Sequence, residues 1–515
     1  MLDEQGMRML LGAALFFCAP LLAMRSLAGS SVAEWRSAGK RLHEFCEQLG
    51  ITDIVPGFAR PVEYPFALLN RCQAANDPRE GSNPAAPASK IREGAHFLKF
   101  AEAAYGLPGH NDDGEAWCAL IKQKSGVLTE ELARLETETH NDNGGDADCL
   151  RHFVAVDHAS KSVVLAMSEA LGRSTAGHAE LFCGGRAHAG MARMAQKVWH
   201  DAGADVLEAL EEYEDEEYSL VITGHSIGGG VAGLLGILLY YLRSHPSANS
   251  VEFFPRLPEA PDEDVAIKIY SYGSPPVFTP FPKLVMATPW VPLTNFYSFV
   301  HASDVVPFLS ARANKQLSAA LHAIDDNLSS TADANAIVMG DKSPDAIAKI
   351  AASAAKAIVD EPTASELCVP STTFVWLKGG GAVECETATA DGILGGVPLS
   401  ASMADDHALA LYTSALSGLA EKLPPPPVEP PKPVEEAKPT PAPVAKPPPA
   451  PLKRQQTAPK PMEAAKEPEP EVKKAPTVKG ISVVYSKKYE KKVIDVNPKA
   501  SPPTIEKIYA PVVYP

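Results

Sequence analysis

The spacing of hydrophobic residues changes several times along this chain. Apolar positions recur at helical spacing from Glu34 to Leu49, and helical spacing resumes at residues 97–101. Beyond residue 150, short apolar runs alternate with longer stretches of helical period. The predicted strands cover residues 152–156, 163–166, 218–222, 265–272, 295–300 and 372–377, and the predicted helices cover about 191–213, 231–243, 317–359 and 408–419. This alternation predicts an α/β fold with a mostly parallel central sheet and helices on both faces.

Proline separates the end of the chain from the rest. Of the 47 prolines, 24 lie between Pro424 and Pro515, where a packed core is not expected. We therefore predict an apolar N-terminal segment at 1–29, a helical region at 30–94, a folded domain at 95–420 and a disordered Pro-rich tail at 421–515.

Charge divides the chain at the same place. Residues 421–515 carry 17 Lys and Arg against 11 Asp and Glu, so the remaining 30 basic and 52 acidic side chains lie in residues 1–420. An acidic body repels polyanions, so nucleic acid is not an expected partner. No tract has the spacing of a metal or nucleotide motif, and no cofactor is expected.

One apolar run lies near the N-terminus, from Met9 to Met24. Sixteen residues are fewer than the roughly 20 that span a bilayer, but they suit a signal peptide or signal anchor. Asp3 and Glu4 weaken that interpretation, and a buried first helix is the alternative. We expect a membrane-associated or secreted protein, and a cytoplasmic location stays open.

The strongest chemical signal is the segment Gly-His-Ser-Ile-Gly-Gly-Gly at residues 224–230. It follows a predicted strand and opens an apolar helix, which is the context of a nucleophile elbow. Glycines two residues before and after Ser226 leave room for the strained turn that presents its hydroxyl. The backbone N–H of Ile227, at the helix N-terminus, points toward developing negative charge. No lysine follows the glycines, which excludes a Walker phosphate loop.

A serine nucleophile needs a histidine base. In folds that contain a nucleophile elbow, the histidine comes after the serine in the chain. The histidines after Ser226 are His245, His301, His322 and His407. His245 ends the helix that begins at the nucleophile and lies too far away, whereas His322 lies inside a predicted helix. His301 is predicted to order its own loop. His407, at the start of the last helix, is therefore the predicted base, with an exposed helix residue as the alternative.

The predicted acid is Asp304, which comes just after the strand at 295–300. The carboxyl ends of parallel strands share one edge of the sheet, so Asp304 and Ser226 are expected on the same edge. A turn aspartate is the alternative role for Asp304. Asp405 and Asp406 are weaker choices for the acid because each lies too near His407 in the sequence.

These segments resemble the class 3 (fungal-type) lipases, closest to the sn-1-specific diacylglycerol lipase branch. The resemblance covers about residues 95–420 and rests on 224–230, Tyr-Gly-Ser-Pro-Pro at 272–276, Ser-Asp-Val-Val-Pro at 303–307 and Asp-His at 406–407, with support from 101–106 and 187–191. It implies an α/β-hydrolase fold in which Ser226, Asp304 and His407 hydrolyse acyl esters through an acyl-enzyme. The expected substrate is a di- or triacylglycerol at a membrane or lipid-droplet surface.

One departure from the family concerns the oxyanion hole. The family usually has Arg-Gly and then Thr or Ser after the strand that ends at Ala166, but this chain has Ser168-Glu169-Ala170. The backbone N–H of Ala170 remains the expected second donor beside that of Ile227. A carboxylate at Glu169 near a developing oxyanion would oppose catalysis. A non-catalytic lipase-like interaction protein is therefore an alternative function.

The segment from Pro275 to Leu293 is unusually apolar. It is suited to covering an acyl pocket or contacting lipid, and burial as ordinary core is the alternative. A soluble esterase or thioesterase on the same fold is the third functional hypothesis.

The tail contains Pro-rich residues 447–454, whose PxxPxK arrangement is of the kind that SH3 domains bind. A match of this kind arises readily in such a composition, so a spacer is the main expectation and an SH3-type partner the alternative.

Truncation after Leu423 should leave the melting temperature and ester hydrolysis unchanged, because a proline-dense tail with few aromatic residues adds nothing to a core. Thermal melts and activity assays of the full and truncated chains measure this directly. Limited proteolysis should stop near residue 420, and a protected fragment that extends past Pro451 would contradict the prediction.

Overall fold

The computed structural model describes eleven main stretches of the chain, with a few single residues and pairs between them. The stretches are 32–49, 63–74, 83–105, 132–136, 150–168, 179–247, 257–279, 291–328, 341–359, 367–386 and 399–425. All of them belong to one unit, residues 1–482, and the second unit, residues 483–515, lies wholly outside the described residues. The predicted apolar N-terminal run, the oxyanion donor Ala170, its neighbour Glu169 and the SH3-type motif also lie outside them.

The central feature is an eight-stranded sheet in the order β1-β2-β3-β6-β7-β9-β10-β11. Its strands are β1 (Leu132–Glu136), β2 (His152–Asp157), β3 (Ser162–Met167), β6 (Ser219–His225), β7 (Ile267–Tyr272), β9 (Phe296–His301), β10 (Thr373–Lys378) and β11 (Gly381–Glu386). The five strands from β3 to β10 run parallel, whereas β1, β2 and β11 pair antiparallel at the two edges. The predicted mostly parallel sheet is confirmed.

Side chains of the central strands enter two separate cores because successive residues of a strand point to opposite faces. On β3, Val163, Leu165 and Met167 belong to one cluster, whereas Val164 and Ala166 belong to the other. All five are fully buried. Burial on both faces explains why these strands are continuous apolar runs and why helices cover the sheet on both sides.

Eight α-helices have bounds within the described residues, and they divide between the two faces. They are α1 (Val32–Gln48), α2 (Glu63–Ala74), α3 (Ala88–Tyr105), α4 (Ala189–Glu212), α5 (Ile227–Ser244), α6 (Ala311–Asn327), α7 (Asp345–Val359) and α8 (Leu409–Ala420). Residues of α3 and α8 line one core, and residues of the other six line the second. With the sheet order, this arrangement is the α/β-hydrolase fold that the sequence predicts.

Helix α5 is apolar all around because it lies in the middle of the larger core. Sixteen of its 18 residues are buried, from Ile227 to Leu242. By length and composition it is the one helix among the described residues that could cross a membrane. Its burial in the fold identifies it instead as the central helix of the core.

Several elements are absent from the sequence prediction. Short strands β4 (Ala179–Phe182), β5 (Gly185–His188) and β8 (Phe278–Thr279) form a second sheet, and they are too short to show an alternating pattern. The single helical region predicted at 317–359 consists mainly of α6 and α7. The described ends of the apolar segment at 275–293 lie in the core, and residues 280–290 lie outside the described part.

The N-terminal helices are part of the main core, although the sequence suggests a separate region at 30–94. Trp35 and Leu42 on α1 are each 1% exposed, and Leu68 on α2 is fully buried. All three belong to the cluster that contains α5. The predicted domain boundary at residue 95 also falls inside α3, so a fragment that begins there would cut a helix whose Ile91 is buried.

Leu42→Ala should destabilise the whole domain by about 2–5 kcal/mol, because it removes a buried side chain from a core that the sheet shares. Ser37→Ala on the exposed side of the same helix is the matched control and should change stability by less than about 0.5 kcal/mol. Denaturant unfolding measures both. Equal stability of the two variants would mean that α1 is not part of the cooperative unit.

Candidate active site

Ser226 lies in a strained turn between β6 and α5. Strand β6 ends at His225, α5 begins at Ile227, and Ser226 has φ 57° and ψ −129°. Residues other than glycine rarely adopt positive φ, so surrounding contacts must hold this conformation. The Ser226 N–H donates a hydrogen bond to the Tyr272 carbonyl on neighbouring β7, 2.9 Å away. The hydroxyl is thereby fixed at the carboxyl edge of the sheet.

Two glycines make this turn sterically feasible. A β-carbon on Gly224 would lie 2.5 Å from the carbonyl oxygen of Gly228, because the strand and the helix pass so close to each other. A β-carbon on Gly228 would lie 2.8 Å from the carbonyl oxygen of Met167 on β3. Both distances are too short for any larger residue, so the Gly-x-Ser-x-Gly spacing follows directly from the turn.

The structure brings the three predicted triad residues together. His407 Nε2 lies 2.9 Å from Ser226 Oγ, and His407 Nδ1 lies 2.9 Å from Asp304 Oδ2. Asp304 follows β9 and is fully buried, while Ser226 and His407 are 6% and 7% exposed. His407 lies two residues before α8, close to its predicted position at the start of that helix. A buried imidazole that contacts a hydroxyl on one side and a carboxylate on the other is the geometry of an activated serine.

The carboxylate of Asp304 accepts hydrogen bonds on both oxygens. Tyr412 on α8 donates its hydroxyl to Oδ2 over 2.5 Å, and the Val306 N–H donates to Oδ1 over 2.9 Å. Burial and the nearby charge of Asp304 raise the pKa of Tyr412, so its hydroxyl stays protonated and donates. With His407, three donors stabilise a charge that would otherwise be costly to bury. Tyr412 is absent from the sequence prediction.

His225, the residue before the nucleophile, also contacts the base. Its ring stacks on that of His407 with centroids 4.6 Å apart, and its Nε2 lies 2.9 Å from the His407 carbonyl oxygen. A carbonyl only accepts, so Nε2 carries the proton and Nδ1 accepts from the Tyr105 hydroxyl, 2.9 Å away. Burial lowers the pKa of His225 well below its usual value, and the adjacent His407 acts in the same direction. His225 is therefore neutral.

The other acid candidates make contacts elsewhere. Asp405 pairs with Arg41 on α1, and this contact lowers the pKa of the Asp405 carboxyl. The carboxylate of Asp406 accepts from the Ser303 N–H and the Ser402 hydroxyl. The carboxylate that reaches His407 Nδ1 is that of Asp304.

The remaining histidines after the nucleophile also have other surroundings. His301 Nδ1 donates to the carbonyl oxygen of Asp406, 3.1 Å away, which fits its predicted part in ordering the loop. His245 follows the end of α5, and its Nδ1 lies 3.2 Å from the Tyr241 carbonyl oxygen. His322 lies within α6.

Of the two expected oxyanion donors, Ile227 begins α5, and Ala170 lies outside the described residues. Ile227 is the first residue of α5, so its N–H belongs to the helix end that carries partial positive charge. Ser168, the last described residue before Ala170, passes close to this end, because a β-carbon on Gly228 would lie 3.3 Å from its carbonyl carbon. Among the described residues, no group of His, Cys, Asp and Glu side chains is arranged to hold a metal ion.

Gly273 lies directly behind the acid and the base. It follows β7 with φ +56°, and its N–H donates to the Phe299 carbonyl on β9. A β-carbon here would lie 2.7 Å from Asp304 Oδ2 and 3.0 Å from the ring of His407. Glycine is thus required at this position both by the left-handed backbone and by the two side chains in front of it.

The fold and the site together define an α/β hydrolase with a serine-histidine-aspartate arrangement. Residues 157–314 match the family model for lipase (class 3). This segment contains Ser226 and Asp304 and ends before His407. The match supports a class 3 lipase and, with it, a carboxylic ester hydrolase. It does not distinguish the diacylglycerol lipase branch from the rest of the family.

Solved fungal lipase structures resemble this chain at low identity. Lipase II from Rhizopus niveus is 21% identical, with 63% of this chain and 95% of that chain covered and a TM-score of 0.37. The triacylglyceride lipase of Rhizomucor miehei is 19% identical, with coverages of 65% and 98% and a TM-score of 0.38. A lipase from Rhizopus microsporus var. chinensis is 19% identical, with coverages of 70% and 94% and a TM-score of 0.38. No curated protein matches this chain.

Gly273→Ala should abolish most turnover because the new methyl group collides with Asp304 and His407. Gly379→Ala is a closely matched control, since Gly379 has φ +55° but no atom within 4 Å of the added β-carbon. Both variants carry the left-handed strain of about 1–2 kcal/mol, so both should melt at a lower temperature. Only Gly273→Ala should lower kcat, by about 10²-fold. Equal kcat losses in the two variants would contradict the proposed contact.

Proposed function

We propose that this protein is a serine lipase that hydrolyses acyl esters of di- or triacylglycerols through an acyl-enzyme on Ser226. The observation that carries the proposal is the hydrogen-bonded series from Ser226 Oγ through His407 to Asp304, with both distances at 2.9 Å. The class 3 lipase match over the segment that holds the nucleophile and the acid supports the reaction class.

In the acylation step, Ser226 Oγ attacks the ester carbonyl carbon while His407 Nε2 takes the hydroxyl proton. Asp304 accepts a hydrogen bond from the Nδ1–H of the resulting imidazolium and stabilises its charge, because its other donors keep the carboxylate in place. The proton then passes from Nε2 to the leaving alkoxide, so an alcohol departs and the acyl group remains on Ser226. Water completes the cycle by the reverse use of His407.

The tetrahedral intermediates place negative charge on the former carbonyl oxygen. In this proposal the backbone N–H groups of Ile227 and Ala170 receive that oxygen. The N–H of Ile227 is favoured by its place in the first turn of α5, where the helix dipole and the free N–H groups act together. Losing one such donor typically costs about 3–4 kcal/mol of barrier.

The proposed substrates are glycerolipids at a membrane or lipid-droplet surface. This finer assignment rests on the resemblance of several motifs to the diacylglycerol lipase branch, including residues 303–307 and the pair Asp406-His407. The triad is nearly inaccessible to water in the described conformation, which suits a substrate that arrives from an apolar phase. Membrane association is part of the same proposal.

A fluorophosphonate probe should label the wild-type protein at Ser226, because the probe reports an activated serine directly. Ser226→Ala should abolish labelling, and His407→Ala should slow it by about 10³-fold or more, while Asp304→Ala costs somewhat less. The control is His245→Ala, an exposed histidine after the end of α5, and it should label normally. His301→Ala loses a bond to the Asp406 carbonyl and should label much faster than His407→Ala. An unlabelled, folded wild-type protein would favour the non-catalytic alternative, and loss in His301→Ala with normal labelling of His407→Ala would identify a different base.

A hydrolysis panel distinguishes a lipase from a soluble esterase. Purified full-length protein is assayed on tri-, di- and monoacylglycerol, on phospholipid and on a short-chain monomeric ester, each below and above the concentration at which the lipid forms a separate phase. We expect di- or triacylglycerol to be the best substrate and the rate to rise when the lipid phase appears. Fast turnover of the monomeric ester without such a rise would indicate an esterase.

A further inference from the structure

The histidine base lies in a turn that precedes α8, whereas Ser226 directly follows β6 and Asp304 comes three residues after the end of β9. His407 belongs to residues 400–407, here called the base loop, which lie between the undescribed residues 387–398 and α8. A turn has no ladder of backbone hydrogen bonds to fix its position. Yet His407 must align both ring nitrogens at once, and an error of about 1 Å can cost roughly 10²-fold in rate. Other contacts must therefore hold the base loop.

Several hydrogen bonds connect the base loop to the other two catalytic segments, among them that from the Val305 N–H to the Met403 carbonyl over 3.3 Å. Two of them involve side chains next to the nucleophile or to the base. His225, directly before the nucleophile, donates its Nε2–H to the His407 carbonyl oxygen over 2.9 Å. The backbone N–H of Ser303, directly before the acid, donates to Asp406 Oδ2 over 3.1 Å. Each of the four residues in these two bonds is either a catalytic residue or the residue directly before one in the chain. Movement of the base loop would therefore break a bond to the nucleophile turn, to the acid loop, or to both.

Asp406 is itself held firmly enough to transmit this constraint. The Ser402 hydroxyl donates to the same oxygen, Oδ2, over 2.8 Å, and the Asp406 N–H donates to the Ser402 carbonyl over 2.8 Å. The Asp406 carbonyl oxygen accepts from His301 Nδ1, 3.1 Å away. The side chain of Asp406 is 13% exposed, so little water competes for these contacts.

We infer that His225 and Asp406 are positioning residues, which act through His407 by fixing the base loop against the nucleophile turn and the acid loop. This inference rests on the proposed serine hydrolase function. It assigns the side chain of Asp406 a role other than that of triad acid, and it explains why a neutral histidine stands directly before the nucleophile. Both side chains act through protein contacts alone, His225 with Tyr105 and His407, and Asp406 with Ser303 and Ser402.

The Asp406 test uses two variants. Ser303 and Ser402 both donate to one oxygen, so the amide oxygen of Asp406→Asn can accept both bonds, whereas Asp406→Ala loses both. We expect kcat per labelled site to fall about 10- to 100-fold in Asp406→Ala, with KM within about twofold of wild type, and to recover to within about threefold in Asp406→Asn. Equal loss in both variants, or no loss in either, would overturn the role of Asp406.

The His225 test separates the hydrogen bond from the stacking. His225→Phe keeps a ring against His407 but removes the donor, whereas His225→Gln places an amide N–H near the position of Nε2. We expect a fall in kcat of about 10-fold in His225→Phe and partial recovery in His225→Gln. Full activity in His225→Phe would overturn this half of the proposal.

A double-mutant cycle distinguishes positioning from general stability. In an Asp304→Ala background the alignment of His407 is already lost, so adding Asp406→Ala should slow fluorophosphonate labelling by less than about twofold. A residue that only supports folding would lower labelling by the same factor in both backgrounds. That result would overturn the inference even if the single variant were impaired.

One readout does not depend on ester hydrolysis. The proton between His407 Nδ1 and Asp304 should give a downfield proton NMR resonance, assigned by its disappearance in Asp304→Ala. We expect it to broaden or shift in Asp406→Ala and to return in Asp406→Asn. An unchanged resonance in Asp406→Ala would overturn the inference. Wild-type protein that shows this resonance behaviour but hydrolyses no ester would instead disprove the proposed function alone.

Discussion

The positive-φ backbone of Ser226 is the constraint on which the rest of the site depends. A non-glycine residue held at φ 57° and ψ −129° costs about 1–3 kcal/mol, and the turn cannot form unless β6, α5 and β3 approach closely at two glycines. The opposing term is the burial of α5. Its leucines Leu234, Leu235, Leu238 and Leu239 are fully buried, and each contributes about 1.5–3 kcal/mol. Packing of the central helix therefore outweighs the strain at its first turn.

Charge imposes the second constraint, because the triad is buried and water does little to screen the charges of its side chains. Asp304 brings one negative charge into the core, and its donors Tyr412, Val306 and His407 occupy both oxygens. During the proposed reaction His407 becomes positive, and the negative charge of Asp304 balances it. A second cation next to His407 would repel the imidazolium and undo that balance. The neutral His225, stacked on His407, meets this condition: burial holds its pKa low, and its two hydrogen bonds fit the uncharged tautomer.

The sequence predicts the site residues that a local motif marks. It does not predict the residues that reach the site only through packing between distant segments. The Gly-x-Ser-x-Gly spacing reports the turn at Ser226 because the steric requirement lies within five residues. The apolar run at 295–300 predicts a strand, and the position of Asp304 just after that strand predicts its place at the edge of the sheet. Tyr412, by contrast, is one aromatic residue on a short apolar helix, and nothing in the sequence around it shows that its hydroxyl reaches Asp304. His225 precedes the nucleophile, so the chain order of a triad does not mark it, and no local pattern shows that its ring stacks on His407.

The sheet alone does not place all three groups of the site. It positions Ser226 and Asp304, which follow parallel strands at one edge, and both lie within the segment that the class 3 lipase model matches. His407 lies outside that segment, and α1 reaches it from the other end of the chain. The ring of Phe45 packs edge-on to His407 with centroids 5.2 Å apart, and Arg41 on the same helix pairs with Asp405. Since α1 is anchored in the main core through Trp35, the environment of the base depends on residues such as Arg41, which is 364 positions away from its partner Asp405 in the chain.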